Sequence, residues 1–246
     1  MRSSLSWLVY LDLDGTVLSG DAAREARFRE WASRRARSVA LAYSSGRSVQ
    51  NIRSEIRSGR LPVPDFIVAQ LGTAIELPDG DAPGFAQALF GGVHASWSLA
   101  EAMRAGIGPG VEPQEAEHLN PYKASFYWDG IPASLAAFED RVGMRFPSGS
   151  FRIMAVDGRY IDLMPHCVGK AAAAKAIARA IGVPPDSIVA AGDSENDQDL
   201  FLEPAFKRIL PANAAAFLRV LAPGAYESPY PDADGVLDGL ARLGLA

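Results

Sequence analysis

The sequence predicts an α/β fold: a parallel-sheet core with helices on both faces, interrupted by an inserted α+β domain. Three observations carry this. Short apolar runs alternate with helix-forming stretches at both ends of the 246-residue chain, which is the pattern of a parallel sheet. Two of these runs end in acid-rich turns, Asp12-Leu13-Asp14-Gly15-Thr16 and Gly192-Asp193-Ser194-Glu195-Asn196-Asp197. Between them the alternation lapses into irregular stretches and a hairpin pattern. The core is therefore assigned to residues 1–79 and 164–246, and the insertion to 80–163.

The first apolar run, residues 7–11, is continuous, as in a strand buried on both faces. Asp12 and Asp14 stand two apart and share one side of an extended chain, and Gly15 permits a sharp turn. Acids at the C-terminal end of a buried parallel strand lie where open α/β sheets bind ligands. Burying two carboxylates together calls for a cation or a proton, and hard oxygen donors suit magnesium. A plain Asp-Gly turn is the blander alternative.

Residues 21–37 read as a helix whose basic face, from Arg24 to Arg37 with Glu25 and Glu30 interspersed, is solvated. A second strand, 38–43, runs into Ser44-Ser45-Gly46-Arg47-Ser48 and a helix over 49–58. Hydroxyl, glycine and helix start suit a phosphate anion, although an ordinary serine-capped turn has the same sequence. A third strand covers 66–69 and is closed by Gln70 to Thr73. Residues 74–77 alternate weakly before a turn at 78–81.

Within the insertion, helices are expected over 97–105 and 135–142 and a strand over 123–128. Residues 151–156 and 159–163 form a hairpin around Asp157-Gly158. The βα alternation then resumes. Lys170 opens an alanine-rich helix that Gly182 and Pro184-Pro185 terminate. Strands at 187–191 and 208–210 follow, with helices over 200–202, 214–221 and the tail around 232–240.

Composition narrows the function. Hydrophobic content of 48% and charged content of 22% are those of a soluble globular protein. A net charge of -5 opposes electrostatic nucleic-acid binding. The single cysteine, Cys167, excludes an internal disulfide and a cysteine-based zinc cluster. No apolar run approaches the roughly 18 residues of a membrane span, and Asp12 and Asp14 interrupt any signal-peptide pattern. A cytoplasmic protein without a membrane partner is the expectation. His94, His118 and His166 show no ligand spacing.

Two acid-rich strand ends on one sheet would bring Asp12, Asp14, Asp193 and Asp197 together, with Lys170 as the cation. With these residues in place, the sequence resembles the haloacid-dehalogenase-like phosphohydrolases, whose core is a Rossmann-like sheet. Asp12-Leu13-Asp14-Gly15-Thr16 looks like their first motif, Ser45-Gly46-Arg47 their second, Lys170 their third and Gly192 through Asp197 their fourth. Within that superfamily it resembles the sucrose-phosphate phosphatase branch. Gly72-Thr73, Lys123-Ala124-Ser125-Phe126-Tyr127, Ile161-Asp162-Leu163-Met164-Pro165 and the C-terminal stretch from Ala233 to Leu240 carry that likeness. The insertion then corresponds to a large α/β cap.

The resemblance implies roles. Asp12 would be the nucleophile that forms an aspartyl-phosphate, and Asp14 the general acid and base. Magnesium would be held by Asp12, the Asp14 backbone carbonyl and Asp193, with Asp197 a further ligand or an orienting group. Ser45, Gly46 and Arg47 would meet the substrate phosphate, Lys170 would balance its charge, and Asn196 would fix Lys170 or an acidic neighbour. In the cap, Lys123, Tyr127, Arg159 and Glu112 would contact the sugar. The implied substrate is sucrose 6-phosphate. Another glycosyl phosphate, such as a mannosyl- or glucosyl-linked compatible-solute precursor or trehalose phosphate, is the alternative. A phosphotransferase or mutase, or a non-catalytic sugar-phosphate sensor, would use the same pocket differently. No nucleic-acid partner is implied, and the assembly is a monomer or a small homo-oligomer.

Overall fold

The computed structural model describes residues 5–78, 93, 97–156 and 158–246. It divides into two compact units, Met1–Pro83 with Lys170–Ala246, and Gly84–Gly169. Of the turn expected at 78–81, residues 79–81 lie outside the described residues, as do His94 and the hairpin residue Asp157.

The first unit is built on a parallel sheet. Strand β1 (Trp7–Asp12) is buried from Leu8 onward, and β2 (Val39–Ser44) is buried throughout. They pair in parallel from Trp7 opposite Val39 to Asp12 opposite Ser44. On its other edge β1 pairs in parallel with β9 (Ile188–Ala191), Leu11 facing Ala191. With β3 (Phe66–Ala69), β4 (Ala74–Glu76), β10 (Lys207–Leu210) and β11 (Tyr226–Glu227), the order is β11-β10-β9-β1-β2-β3-β4. In this sheet, among the described residues, only β3 and β4 pair antiparallel. The chain winds outward from β1 through β2 and β3, then returns to the opposite edge of β1 and winds outward again. That reversal makes the C-terminal ends of β1 and β9 the switch point, where such sheets open a crevice.

Helices connect the strands. Asp21 caps α1 (Ala22–Arg34) by accepting the N–H groups of Ala23 and Arg24, and Ser48 caps α2 (Val49–Arg57) by accepting that of Asn51. Helix α5 (Lys170–Ile181) buries five of its seven alanines, Ala172 and Ala180 being the exceptions. It is followed by α6 (Gln198–Phe201), α7 (Ala216–Leu221) and α8 (Asp232–Arg242). One expectation needs correcting: α1 is not uniformly solvated. Arg24 pairs with Asp232 and Arg27 grips Asp234, so part of its basic face docks the acidic start of α8. Glu25 is buried and bonded to Arg60.

The second unit has its own antiparallel sheet, in the order β5-β6-β8-β7. These strands are β5 (Val111–Pro113), β6 (Ala124–Trp128), β7 (Phe151–Val156) and β8 (Tyr160–Pro165). Helices α3 (Leu99–Gly106) and α4 (Pro132–Arg145) supply the rest of its core. Alternation along β6 puts Ala124 and Phe126 into that core, where Phe126 meets Phe138 edge to face with ring centroids 5.3 Å apart. Met164 and Pro165 belong to β8, so the return to the first unit comes after the expected residue 164. Among the described residues no helix is long and apolar enough to cross a membrane.

Because Phe126 is wholly buried and its ring has a dedicated partner, Phe126→Ala should destabilise the second unit by about 3–5 kcal/mol. Urea unfolding followed by tryptophan fluorescence, dominated there by Trp97 and Trp128, measures it.

Candidate active site

Three segments meet at the switch point. Asp12 closes β1, and Asp193 and Asp197 flank the turn after β9. Lys170 opens α5 and is 158 positions from Asp12 in sequence. The Lys170 side chain is completely buried. Its Nζ donates to Asp12 Oδ1 at 2.6 Å, to Asp197 Oδ1 at 2.6 Å and to the Asn196 side-chain oxygen. An ammonium has three hydrogens, and here each has an acceptor. Burial alone would lower its pKa, but the facing Asp12 and Asp197 carboxylates outweigh that and hold it above the ordinary lysine value.

The acids differ in how far the protein satisfies them. Asp197 Oδ2 accepts the backbone N–H groups of Asp193 and Ser194 at 3.0 and 3.2 Å while Oδ1 takes Lys170. Asp193 Oδ1 accepts the Thr16 hydroxyl at 3.2 Å. Among the described residues no donor reaches the second oxygen of Asp12 or of Asp193. Burial, then the Asp197 charge, pushes the Asp12 carboxyl well above the usual carboxylate range and raises Asp193 to about 6.

Three carboxylates against one ammonium leave an excess of negative charge in a largely dry site. One oxygen from each of Asp12, Asp193 and Asp197 lies within 4.8 Å of the others. Hard oxygens, net negative charge and unused lone pairs on Asp12 and Asp193 fit a divalent cation. Asp197, already bonded on both oxygens, is placed to orient its neighbours. Backbone shape permits the crowding. A Cβ at Gly15, where φ is +75°, would stand 2.4 Å from Asp193 Oδ2; one at Gly192 would stand 2.3 Å from the Asp197 carboxyl carbon.

The second motif lies on β2 and the turn after it. Ser45 is buried, its Oγ accepting the Arg47 N–H at 3.1 Å, while Gly46 is exposed beside it. The loop after β3 braces this turn: Leu71 donates its N–H to Ser45 and Gln70 donates to Arg47. Gln70, Leu71 and Gly72 all take positive φ, a strained arrangement held by those bonds. Arg47, expected to contact the substrate, clasps Asp14 with two parallel bonds, Nε to Oδ2 at 2.8 Å and Nη2 to Oδ1 at 2.6 Å. Asp14 itself is exposed and stands apart from the Lys170 cluster.

The residues expected to read the sugar sit on the second unit's sheet. Lys123 is buried there, with Nζ on Asp162 at 2.9 Å and on Ser125, so its charge is spent internally. Tyr127 is exposed and its hydroxyl donates to Glu115 at 2.7 Å, while the Arg159 guanidinium lies 5.3 Å from the Tyr160 ring centroid. Glu112 is exposed. Sequence reasoning missed Glu115, Tyr160 and the support given by Asn213, whose amide donates to the Gly15 carbonyl at 2.7 Å. Nothing in the sequence signals Asn213, because the contact joins residues 198 positions apart.

A carboxylate held against a buried ammonium, at the switch point of a parallel sheet with an α+β insertion, is the arrangement of the haloacid-dehalogenase-like phosphohydrolases. The protein is one of them, a phosphoric monoester hydrolase of the sugar-phosphatase type. More narrowly, residues 5–244 match the family described as sucrose-6F-phosphate phosphohydrolase, and the chain belongs to that family. It is 28% identical to the mannosylfructose-phosphate phosphatase of Agrobacterium fabrum, over 97% of each chain. It is also 28% identical to probable sucrose-phosphatase 2 of Arabidopsis thaliana, over 71% of this chain and 42% of that longer relative. The sucrose-phosphatase of Synechocystis sp. PCC6803, solved with sucrose and phosphate, shares the fold with a TM-score of 0.83 at 23% identity, covering 99% of both chains.

Two outcomes test this geometry. Gly15→Ala should weaken divalent-cation affinity by roughly 10-fold or more, since ligand misplacement has that effect, as read by calorimetric titration with magnesium. The second concerns pH. The folded-state pKa of Asp193, about 6, stands above its ordinary value of 3.8. The folded state therefore holds that proton more tightly, so the group favours folding below its unfolded value and loses that contribution as pH rises through about 6. A bound cation competes with the proton, so the rise in Tm on adding magnesium should be larger at about pH 7.5 than at about pH 5. Melting curves with and without chelator measure both slopes.

Proposed function

We propose that the protein hydrolyses sucrose 6-phosphate to sucrose and phosphate, with Asp12 as nucleophile. The observation that carries the chemistry is Asp12 itself: one oxygen is locked on Lys170, and the other is reached by no described donor. In-line attack by that second oxygen on phosphorus forms an aspartyl-phosphate and expels the sugar alkoxide, splitting one hard displacement into two easier ones. Asp14 gives the alkoxide its proton, then takes one from the water that releases phosphate. Magnesium, held by Asp12, Asp193 and the Asp14 backbone carbonyl, supplies charge neutralisation between nucleophile and phosphate when bound.

The protein's own groups do the rest. Ser45 and the Gly46 N–H receive phosphoryl oxygens, and Lys170 offsets the charge that develops on them. Asn196 and Asp197 keep Lys170 aimed at Asp12. The second unit acts as a specificity cap, with Tyr127 and Arg159 as sugar contacts on its exposed sheet face. Lys123 serves by holding Ser125 and Asp162 in place on β6 and β8. The family match supports sucrose 6-phosphate. A second reading, mannosylfructose phosphate, is favoured by the match that spans 97% of both chains; the mechanism is the same.

Phosphate release from a panel of sucrose 6-phosphate, mannosylfructose phosphate, trehalose phosphate and hexose phosphates decides the substrate. The expected result is magnesium-dependent turnover with kcat/KM at least about tenfold higher on sucrose 6-phosphate than on the hexose phosphates. A preference for mannosylfructose phosphate would replace the substrate and keep the chemistry. Asp12→Asn should abolish turnover while the protein stays folded, since the remaining oxygen cannot form the intermediate; undiminished turnover would overturn the nucleophile.

A further inference from the structure

Five side chains of alternating charge run from Asp14 to the far end of the loop that Asp14 begins. Arg47 clasps both Asp14 oxygens, and its remaining Nη1 donates to Glu55 Oε1 at 2.7 Å. The other Glu55 oxygen accepts Arg60 Nη1 at 3.1 Å. Arg60 in turn clasps Glu25, Nη2 to Oε1 at 2.7 Å and Nε to Oε2 at 3.2 Å. Glu25 Oε1 finally accepts the backbone N–H of Gly20 at 3.1 Å. The series starts and finishes on residues 14–20, in the connection between β1 and α1, although its members between come from the turn after β2 (Arg47), from α2 (Glu55), from the turn after α2 (Arg60) and from α1 (Glu25).

Burial is graded along the series. The gradation is that of the carboxylates, whose side-chain exposure is 5% at Glu25, 18% at Glu55 and 56% at Asp14, while the arginines between them are 42% (Arg60) and 30% (Arg47) exposed. A buried carboxylate with three donors is costly to disturb, whereas an exposed pair is screened by water and exchanges readily. The rigid end is therefore Glu25, and the end free to move is Asp14. Glu55 holds both arginines at once, which fixes the fork of Arg47 in place and orientation.

We infer that Glu55 is a positioning residue: the Glu25–Arg60–Glu55 bracket fixes Arg47, and Arg47 sets where the Asp14 carboxyl stands between its acid and base steps. This rests on the phosphatase reading above. In the first step the bond from phosphorus to the sugar oxygen breaks as a bond from Asp12 to phosphorus forms. The electron pair stays on the leaving oxygen, and the proton it needs comes from Asp14. A sugar alkoxide is a strong base and depends on that proton, while p-nitrophenolate leaves without it. kcat/KM reports events through this step alone. Loosening the bracket should therefore harm sugar phosphates and largely spare p-nitrophenyl phosphate.

The test compares wild type with Glu55→Gln on p-nitrophenyl phosphate and on the best sugar phosphate of the panel. Glu55→Gln is expected to lower kcat/KM roughly 10-fold on the sugar phosphate, within the range that general acids contribute, with the loss in kcat and KM near wild type. On p-nitrophenyl phosphate the fall should stay within about twofold. Arg60→Gln, one link further from Asp14, should give the same pattern at smaller size and stands in if Glu55→Gln fails to fold. Equal losses on both substrates, or none on either, would overturn the inference. So would unchanged amide hydrogen exchange over residues 14–20 in a folded Glu55→Gln protein, where roughly tenfold faster exchange is expected. A wild type inactive on both substrates would instead sink the phosphatase reading.

Discussion

The Lys170 ammonium, buried among Asp12, Asn196 and Asp197, is the interaction on which the rest of the first unit depends. It joins the end of β1, the start of α5 and the turn after β9, which are far apart in sequence. Removing one partner of such a pair leaves a stranded charge, a loss of about 3–5 kcal/mol in buried examples. The arrangement is still incomplete in charge, because carboxylates outnumber the cation. That imbalance keeps the cluster receptive to a second positive charge, and the glycines at 15 and 192 let the acids crowd close enough to share one.

The parallel core was legible because its strands are buried on both faces. A strand in that setting needs apolar residues at every position, so 7–11, 66–69 and 187–191 stand out from their surroundings. The acid-rich turns that end β1 and β9 were legible for the opposite reason, since they break apolar runs abruptly. Strands β5 and β11 were not foreseen. They have three and two residues, too few for any periodicity, and exist only because a neighbour offers a ladder edge.

What composition hid was the pairing of charges. Read along the chain, Arg24 to Arg37 is a basic helix face with two acids in it, and solvation is the natural inference. In three dimensions Glu25 finds Arg60, while Arg24 and Arg27 find α8. The resemblance implies substrate contacts for Lys123 and Arg47, and the fold adds a carboxylate partner to each that the sequence does not announce. Residue type reveals that a charge needs compensation; only the fold reveals whether the protein itself supplies it.

The central place of β1 also has a consequence for biosynthesis. β1 pairs with β2 soon after it emerges, but its other neighbour, β9, begins only at residue 188, after the whole second unit has been made. At ordinary translation speeds this leaves one edge of an apolar strand open for on the order of ten seconds. During that interval the second unit, whose hydrophobic core is drawn from its own residues, is completed by the ribosome. The strand that ends in Asp12 is thus made long before its second edge is paired, and until then that edge needs protection from wrong partners.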